Sequence, residues 1–218
     1  KSSIKFFINY FFAFIPGNDE AYIFINRISN LVLGKGWGSS TIKYEVKACL
    51  NLLKRNPKIF IDIGANKGFY TEEVLKMHPN LEVHLFEPSN LNNKVLEEKF
   101  FKRSNLIINS VALGENSQKS TLFADKSGSG NASLTRRRLD HFSIDFKHKE
   151  EVKVMRFDEY WEGHNNIQFI DYVKIDVEGH ELSVLKGMGK YLYKIKLIQF
   201  EFGGCNIDTR TYFQDFWY

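Results

Sequence analysis

The stretch that most limits what this chain can fold into is Ile59-Phe60-Ile61-Asp62-Ile63-Gly64-Ala65-Asn66-Lys67-Gly68-Phe69-Tyr70. Its apolar, β-branched beginning predicts a buried strand, and the glycines that follow predict a tight turn into a helix. A second strand-like run, Val83-His84-Leu85-Phe86, ends on an acidic residue, Glu87. That pairing is how an α/β protein builds a nucleotide-sized pocket. Glycine lets the backbone approach the ligand, and the carboxylate accepts hydrogen bonds from both ribose hydroxyls. The spacing is D-x-G-x-x-x-G and lacks the G-x-G-x-x-G that cradles a dinucleotide pyrophosphate. A ligand with a ribose but no phosphate fits better, which makes S-adenosylmethionine the expected cofactor.

Strands and helices alternate through most of the chain. A helical pattern covers 41–54 (Ile42, Val46, Cys49, Leu50, Leu53) and stops before Pro57. Strands are expected at 58–63, 82–86 and 106–111, with a helix through Met77 and another over 92–101. Two exposed, alternating strands at 120–124 and 152–157 interrupt the series, with a polar, Gly/Ser-rich loop over 125–150 between them. The alternation resumes with a strand at 172–175, a helix from Glu181 to about Leu192 and a strand at 196–202. This order predicts the α/β class, a doubly wound, mostly parallel sheet with helices on both faces. Ligands of such sheets bind beyond the carboxyl ends of the strands, near the switch point. Asp62, Glu87, Ser110, Asp176 and Glu201 all fall at or just past strand ends. Polar residues recurring at one topological location mark the expected site.

Composition narrows the partners. With 218 residues, 20 of them Phe and 10 Tyr, the chain can build one domain with a substantial core. The net charge of +4 is spread out, and its one dense run, Arg136-Arg137-Arg138, is short, so no nucleic-acid partner is expected. Cys49 and Cys205 lie far apart with no CxxC and read as reduced thiols, with neither a disulfide nor a metal framework implied. Asn131-Ala132-Ser133 is formally a glycosylation sequon but carries no weight without a secretory context. The chain begins at Lys1 and stops inside an apolar, helix-like pattern, Thr211 to Tyr218, and so reads as a fragment.

The expected organisation is an apolar helical extension over 1–40 and a domain over 41–218, incomplete at its C-terminus, with an insertion at about 115–160. Residues 4–15 are strongly apolar but shorter than the roughly 20 residues of a membrane span, and they lack the layout of a signal peptide. They read as a helix packed on the domain or on a second subunit, with peripheral membrane contact as the alternative in an otherwise cytoplasmic protein. Oligomeric state leaves no mark in the sequence.

Local motifs assign roles. Asp62, Gly64 and Gly68 form the ligand turn with Glu87. Asn66 either caps the following helix or holds the ligand's amino-acid end. Asn109-Ser110-Val111-Ala112-Leu113-Gly114 closes the third strand, and its small residues leave room for a flat adenine ring. Lys174-Ile175-Asp176-Val177-Glu178-Gly179-His180-Glu181 puts carboxylates beyond a buried strand, just before an apolar-periodic helix. Helix capping accounts for Glu181 but not for the whole cluster. Asp176 points to the ligand edge as the catalytic candidate, with Glu178 beside it. His180 is a weaker candidate base, and a divalent cation on Asp176, Glu178 and Glu201 is an alternative that the spacing does not demand. The Gly/Ser-rich segment 127–133 sits where a substrate lid would.

With these residues in view, the chain resembles the FkbM-type methyltransferases over about 41–217. The resemblance rests on Phe60 to Thr71, Phe86-Glu87-Pro88, Val111-Ala112-Leu113-Gly114, Arg156-Phe157-Asp158-Glu159-Tyr160 (a strand in this reading) and Phe200-Glu201-Phe202. The most specific match is Val173 to Glu181 followed by Leu185-Lys186-Gly187. It implies a class I, Rossmann-like fold and O-methylation of a hydroxyl on a sugar, glycan or related natural product. It also implies S-adenosylmethionine against Asp62, Gly64, Asn66, Gly68 and Glu87, with Ser110 and Ala112 near adenine. Asp176 and Glu178 would face the methyl. A class I sheet ends in an antiparallel hairpin that this chain stops short of, leaving 196–202 as an expected open edge. The rival readings are a non-catalytic S-adenosylmethionine-binding or scaffold domain, a nicotinamide-dependent oxidoreductase and an RNA methyltransferase.

Overall fold

The computed structural model describes residues 19–32, 42–53, 56–139, 143–164 and 169–217. The apolar stretch at 4–15 lies outside them. The chain divides into two compact units, Lys1–Thr41 and Ile42–Tyr218. In the first, Asp19–Val32 is a helix, α1. Among the described residues no helix is long and apolar enough to cross a membrane.

The second unit is built on a five-stranded sheet. Helix α2 (Ile42–Leu52) precedes β1 (Ile59–Ile63), which is buried along its whole length. Then follow α3 (Phe69–Met77), β2 (Glu82–Phe86), α4 (Asn90–Phe100) and β3 (Leu106–Asn109). After the insertion come α5 (Phe157–Trp161), the fully buried β7 (Ile170–Ile175), α6 (Glu181–Gly187) and β8 (Ile195–Phe200). The strand order is β3-β2-β1-β7-β8, and every pair is parallel. The chain winds outward one way from β1 and the other way from β7, so the switch point lies between them.

The sequence dictates this through alternation. Ile59, Ile61 and Ile63 face one helical layer and pack with Phe157, Trp161, Val184 and Met188. Phe60 faces the other and packs with Tyr70, Val74, Leu85, Leu96 and Tyr172. Both faces are covered, which is why β1 and β7 read as nearly unbroken apolar runs. Each fully buried large side chain of this kind contributes about 1.5–3 kcal/mol.

Three expectations are corrected. The strand at 106–111 ends at Asn109, whose Nδ2 donates to the Leu85 carbonyl at 3.0 Å. The chain then crosses into a second sheet as β4 (Ala112–Leu113), in the order β4-β6-β5 with β5 (Gln118–Ala124) and β6 (His148–Met155). Arg156 to Tyr160 is no strand: Arg156 caps α5, Asp158 and Glu159 sit in its first turn, and Phe157 stacks on Trp161 with centroids 5.4 Å apart. Buried residues four apart impose a helix where the sequence pattern alone suggests a strand. The helix expected through Leu192 breaks after Gly187 into a 3₁₀ turn, Gly189–Lys194.

Candidate active site

The turn after β1 is shaped by contacts that admit no alternative residue at Gly64. Its φ is +82°, and a Cβ there would lie 1.8 Å from the Asp176 carbonyl oxygen. The ends of β1 and β7 therefore meet backbone to backbone at the switch point. Asn66, at φ +50°, takes the left-handed conformation that asparagine tolerates. This turns its N–H onto Glu87 Oε2 at 2.8 Å. Glu87 follows β2 and is 6% exposed. Its Oε1 accepts from the Ser89 N–H at 2.9 Å and the Asn92 side-chain amide at 3.3 Å. Burial raises its pKa, against the pull of these donors. A carboxylate held by three donors has a fixed orientation and keeps lone pairs for a ligand's hydroxyls.

The strand ends open into a cleft enclosing about 640 Å³, mouth included. Gly64, Asn66, Glu87, Ala112, Asp176, Glu178 and His180 line it, so seven of the residues singled out from the sequence converge. Three of the expected cofactor residues do not. Asp62 is wholly buried beneath the turn, where Thr71 donates to its Oδ2 at 2.6 Å and burial raises its pKa. Gly68 starts α3, and a Cβ there would meet Leu96 and Phe100 at 2.7 Å, so it serves the packing of α3 on α4. Ser110 is exposed outside the cleft because β3 ends before it and the chain turns away.

The sequence also left residues unnoticed. Asn92 lines the cleft, and because its amide nitrogen goes to Glu87, its buried Oδ1 has no partner; Asn66 Oδ1 is likewise unpartnered. Buried acceptors without donors are uncommon in proteins and point to a ligand that donates. Asn92 is signalled only by being a buried polar residue on α4, five positions past Glu87. Leu113 and Leu122, with Ser129, Gly130, Ala132 and Ser133 from the insertion, complete the walls. A ribose fits Glu87 and Asn92, and a flat base fits the small apolar surface at Ala112 and Leu113. The residues present thus fit S-adenosylmethionine.

The opposite wall carries the carboxylates. Asp176 Oδ2 accepts from Lys174 Nζ at 2.9 Å. Glu178, at φ +53°, is another non-glycine residue in the left-handed region, and Ser133 Oγ donates to its carbonyl at 2.8 Å. Arg137 donates to Glu178 Oε2 at 2.5 Å and lies 3.5 Å from Asp208. Burial nevertheless pushes the Glu178 carboxyl up to about 7, with Arg137 opposing and Asp176 reinforcing the shift. Burial lowers the pKa of His180, whose Nε2 is 3.0 Å from Thr135 Oγ1. Glu201 follows β8 but is exposed and does not line the cleft. Among the described residues, no three His, Cys, Asp or Glu groups converge to hold a metal ion. Of the arginine run only Arg137 is drawn inward, 11% exposed between two acids; Arg136 and Arg138 are exposed, Arg136 lying 3.5 Å from Asp145.

Known methyltransferases are similar to this chain. The 2-O-methyltransferase NoeI of Sinorhizobium fredii (strain NBRC 101917 / NGR234) is 24% identical over 174 residues, covering 75% of this chain and 70% of that protein. Among solved structures, the precorrin-6y C5,15-methyltransferase of Geobacter metallireducens GS-15 is similar at 13% identity and a TM-score of 0.36, covering 67% of this chain and 55% of its own. A SAM-dependent methyltransferase of Aquifex aeolicus is similar at 13% identity and a TM-score of 0.36, covering 75% of this chain and 65% of its own. The chain thus spans little more than half of the precorrin enzyme. The methyltransferase FkbM domain matches residues 62–217, most of the chain. The chain belongs to the FkbM family of S-adenosylmethionine-dependent methyltransferases.

Proposed function

We propose that the chain methylates a hydroxyl of a small molecule or glycan, in the class of sugars and related natural products. The observation that carries this is the pair Asp176 and Glu178 on the cleft wall across from the Glu87 ribose clamp. S-adenosylmethionine, when bound, supplies a methyl group on a positively charged sulfonium. Glu87 and Asn92 would hold its ribose, Asn66 and Gly64 its amino-acid side, and Ala112 and Leu113 its base. An alcohol must lose its proton as the new C–O bond forms, because the protonated ether is a strong acid, whereas a neutral amine can be methylated first and lose its proton afterwards. A carboxylate in a partly dry cleft is suited to take that proton, a contribution of roughly 10²–10⁴-fold. Asp176 is the base that orients the hydroxyl, and Glu178 assists. The name of the similar 2-O-methyltransferase supports an oxygen acceptor.

The test is transfer of a labelled methyl group from S-adenosylmethionine to a panel of monosaccharides, oligosaccharides, polyphenols and amines. O-methyl product is expected, with kcat reduced about 10²-fold or more in Asp176→Asn while S-adenosylhomocysteine still binds. Transfer only to nitrogen, or full turnover by Asp176→Asn, would sink the assignment.

A further inference from the structure

Lys174 is a buried charge that methyl transfer as described above does not use. It is 6% exposed, near the end of a central strand, with its Nζ 5.0 Å from the centroid of the Tyr70 ring. An ammonium placed there costs several kcal/mol of lost hydration unless charges around it compensate. In the β1–β7 register Lys174 lies opposite Asp62, and two residues farther along β7 comes Asp176, whose Oδ2 it reaches at 2.9 Å. Residues two apart on a strand share a face. The row Asp62–Lys174 thus forms a polar floor beneath the strand ends. Burial alone would pull the ammonium pKa down, but Asp176 and Asp62 outweigh it and the net shift is upward, so the lysine stays charged.

We infer that Lys174 is a positioning residue for the transfer carboxylate: held opposite Asp62 in the β1–β7 register, it grips one oxygen of Asp176 and leaves the other turned to the acceptor. This rests on the reading of Asp176 as the acceptor-facing base. The grip matters because Asp176 stands in a crowd of acids. It faces Asp62 from β1, Glu178 from its own turn and Glu201 from beyond β8, while Arg137 of the insertion is engaged by Glu178. Lys174 is the cation in direct contact with Asp176. Like charges crowded around a carboxylate favour its protonated form, which cannot accept a proton, and an adjacent ammonium opposes that.

The test compares the wild-type chain with Lys174→Met, Lys174→Gln, Lys174→Arg and the double variant Asp62→Asn/Lys174→Met. The double variant removes both members of the floor and guards against failure of the single methionine variant to fold. The first readout needs neither cofactor nor acceptor. It is a pH titration of ¹³C-labelled aspartate carboxylates by NMR, with the Asp176 signal assigned by its loss in Asp176→Asn. Loss of the lysine charge is expected to move the Asp176 titration upward by at least one unit, within the roughly 1–3 units an adjacent opposite charge supplies. Lys174→Arg should restore most of it. An unmoved Asp176 signal in Lys174→Met, or in Lys174→Gln should the methionine variant fail to fold, overturns the inference.

The second readout uses the acceptor that the methylation panel returns. Lys174→Met and the double variant should lose kcat about tenfold or more, part of the roughly 10²–10⁴ of a positioned base. S-adenosylhomocysteine affinity should stay within about twofold. Wild-type kcat in the double variant would mean that Lys174 only balances Asp62. If the panel returns no acceptor, the proposed function fails and the titration still decides whether Lys174 controls Asp176.

Discussion

In the proposed function Glu87 is the side chain on which cofactor recognition most depends. Its orientation comes from outside itself, since the Asn66 and Ser89 amides and the Asn92 side chain hold it before any ligand arrives. Glu87→Ala is therefore expected to weaken S-adenosylhomocysteine binding by about 1.5–3 kcal/mol, the scale of charged hydrogen bonds. Isothermal titration calorimetry checks it, and unchanged affinity would remove Glu87 from the site. Asn92→Ala should cost less, about 1 kcal/mol, because the neutral amide supplies one weak donor and one acceptor. At Glu178 the residue scale becomes a pH dependence. Its carboxyl is pushed up to about 7, chiefly by burial, so the ionised form predominates above that pH and is lost below it. Turnover in the wild-type chain should rise through about pH 7. Glu178→Gln should show lower turnover without that limb. A limb that survives in Glu178→Gln would assign it to another group.

At the scale of elements, the insertion does more than fill space between β4 and α5. Phe123 and Ser133 exchange backbone hydrogen bonds at 2.8 and 2.9 Å, folding the Gly/Ser segment back over the cleft. Ser133 Oγ then fastens it to the Glu178 carbonyl. Ser133→Ala removes that fastening at about 0.5–1.5 kcal/mol, the net value of one hydrogen bond. A rise in the acceptor KM with little change in melting temperature is the expected signature. Helix α5 is a second case. Trp161 is 1% exposed and packed on Phe157, so Trp161→Ala should cost about 3–5 kcal/mol by thermal melting. These elements also mark where sequence reading stops. The β1 turn, Glu87 and the Asp176–Glu178 segment are legible because each is encoded within a dozen neighbouring residues. The Ser133–Glu178 and Arg137–Glu178 contacts join residues more than forty positions apart, and nothing in either segment names its partner. The strand reading of Arg156 to Tyr160 fails for the same reason: the surface that Phe157 and Trp161 bury against belongs to β1 and β7. Gly68 and Ser110 carry the right residue types at nearly the right places, yet register decides, and a shift of one or two positions moves a side chain from cleft to core or solvent.

For the molecule as a whole, the cleft is assembled from the ends of β1, β2 and β7 and from the insertion, all within the unit Ile42–Tyr218. A ligand that touches all of them binds the folded state and not its parts, so its binding energy becomes folding energy. At a ligand concentration 100-fold above Kd this linkage adds about 2.7 kcal/mol. For a unit of this size each kcal/mol raises the melting temperature by roughly 2–4 °C, giving an expected rise of roughly 5–10 °C with saturating S-adenosylhomocysteine. The insertion should melt together with the five-stranded sheet in one transition, because Ser133, Thr135 and Arg137 tie it to the residues after β7. Gly64→Ala is the control at this scale. The added methyl would press against the Asp176 carbonyl, so β1 and β7 must part and both the stability and the ligand-induced rise should fall together. Differential scanning calorimetry with and without ligand decides it. If the insertion melts separately, or if Gly64→Ala keeps the full ligand-induced rise, the cleft is not the shared product of these elements and the ligand binds elsewhere.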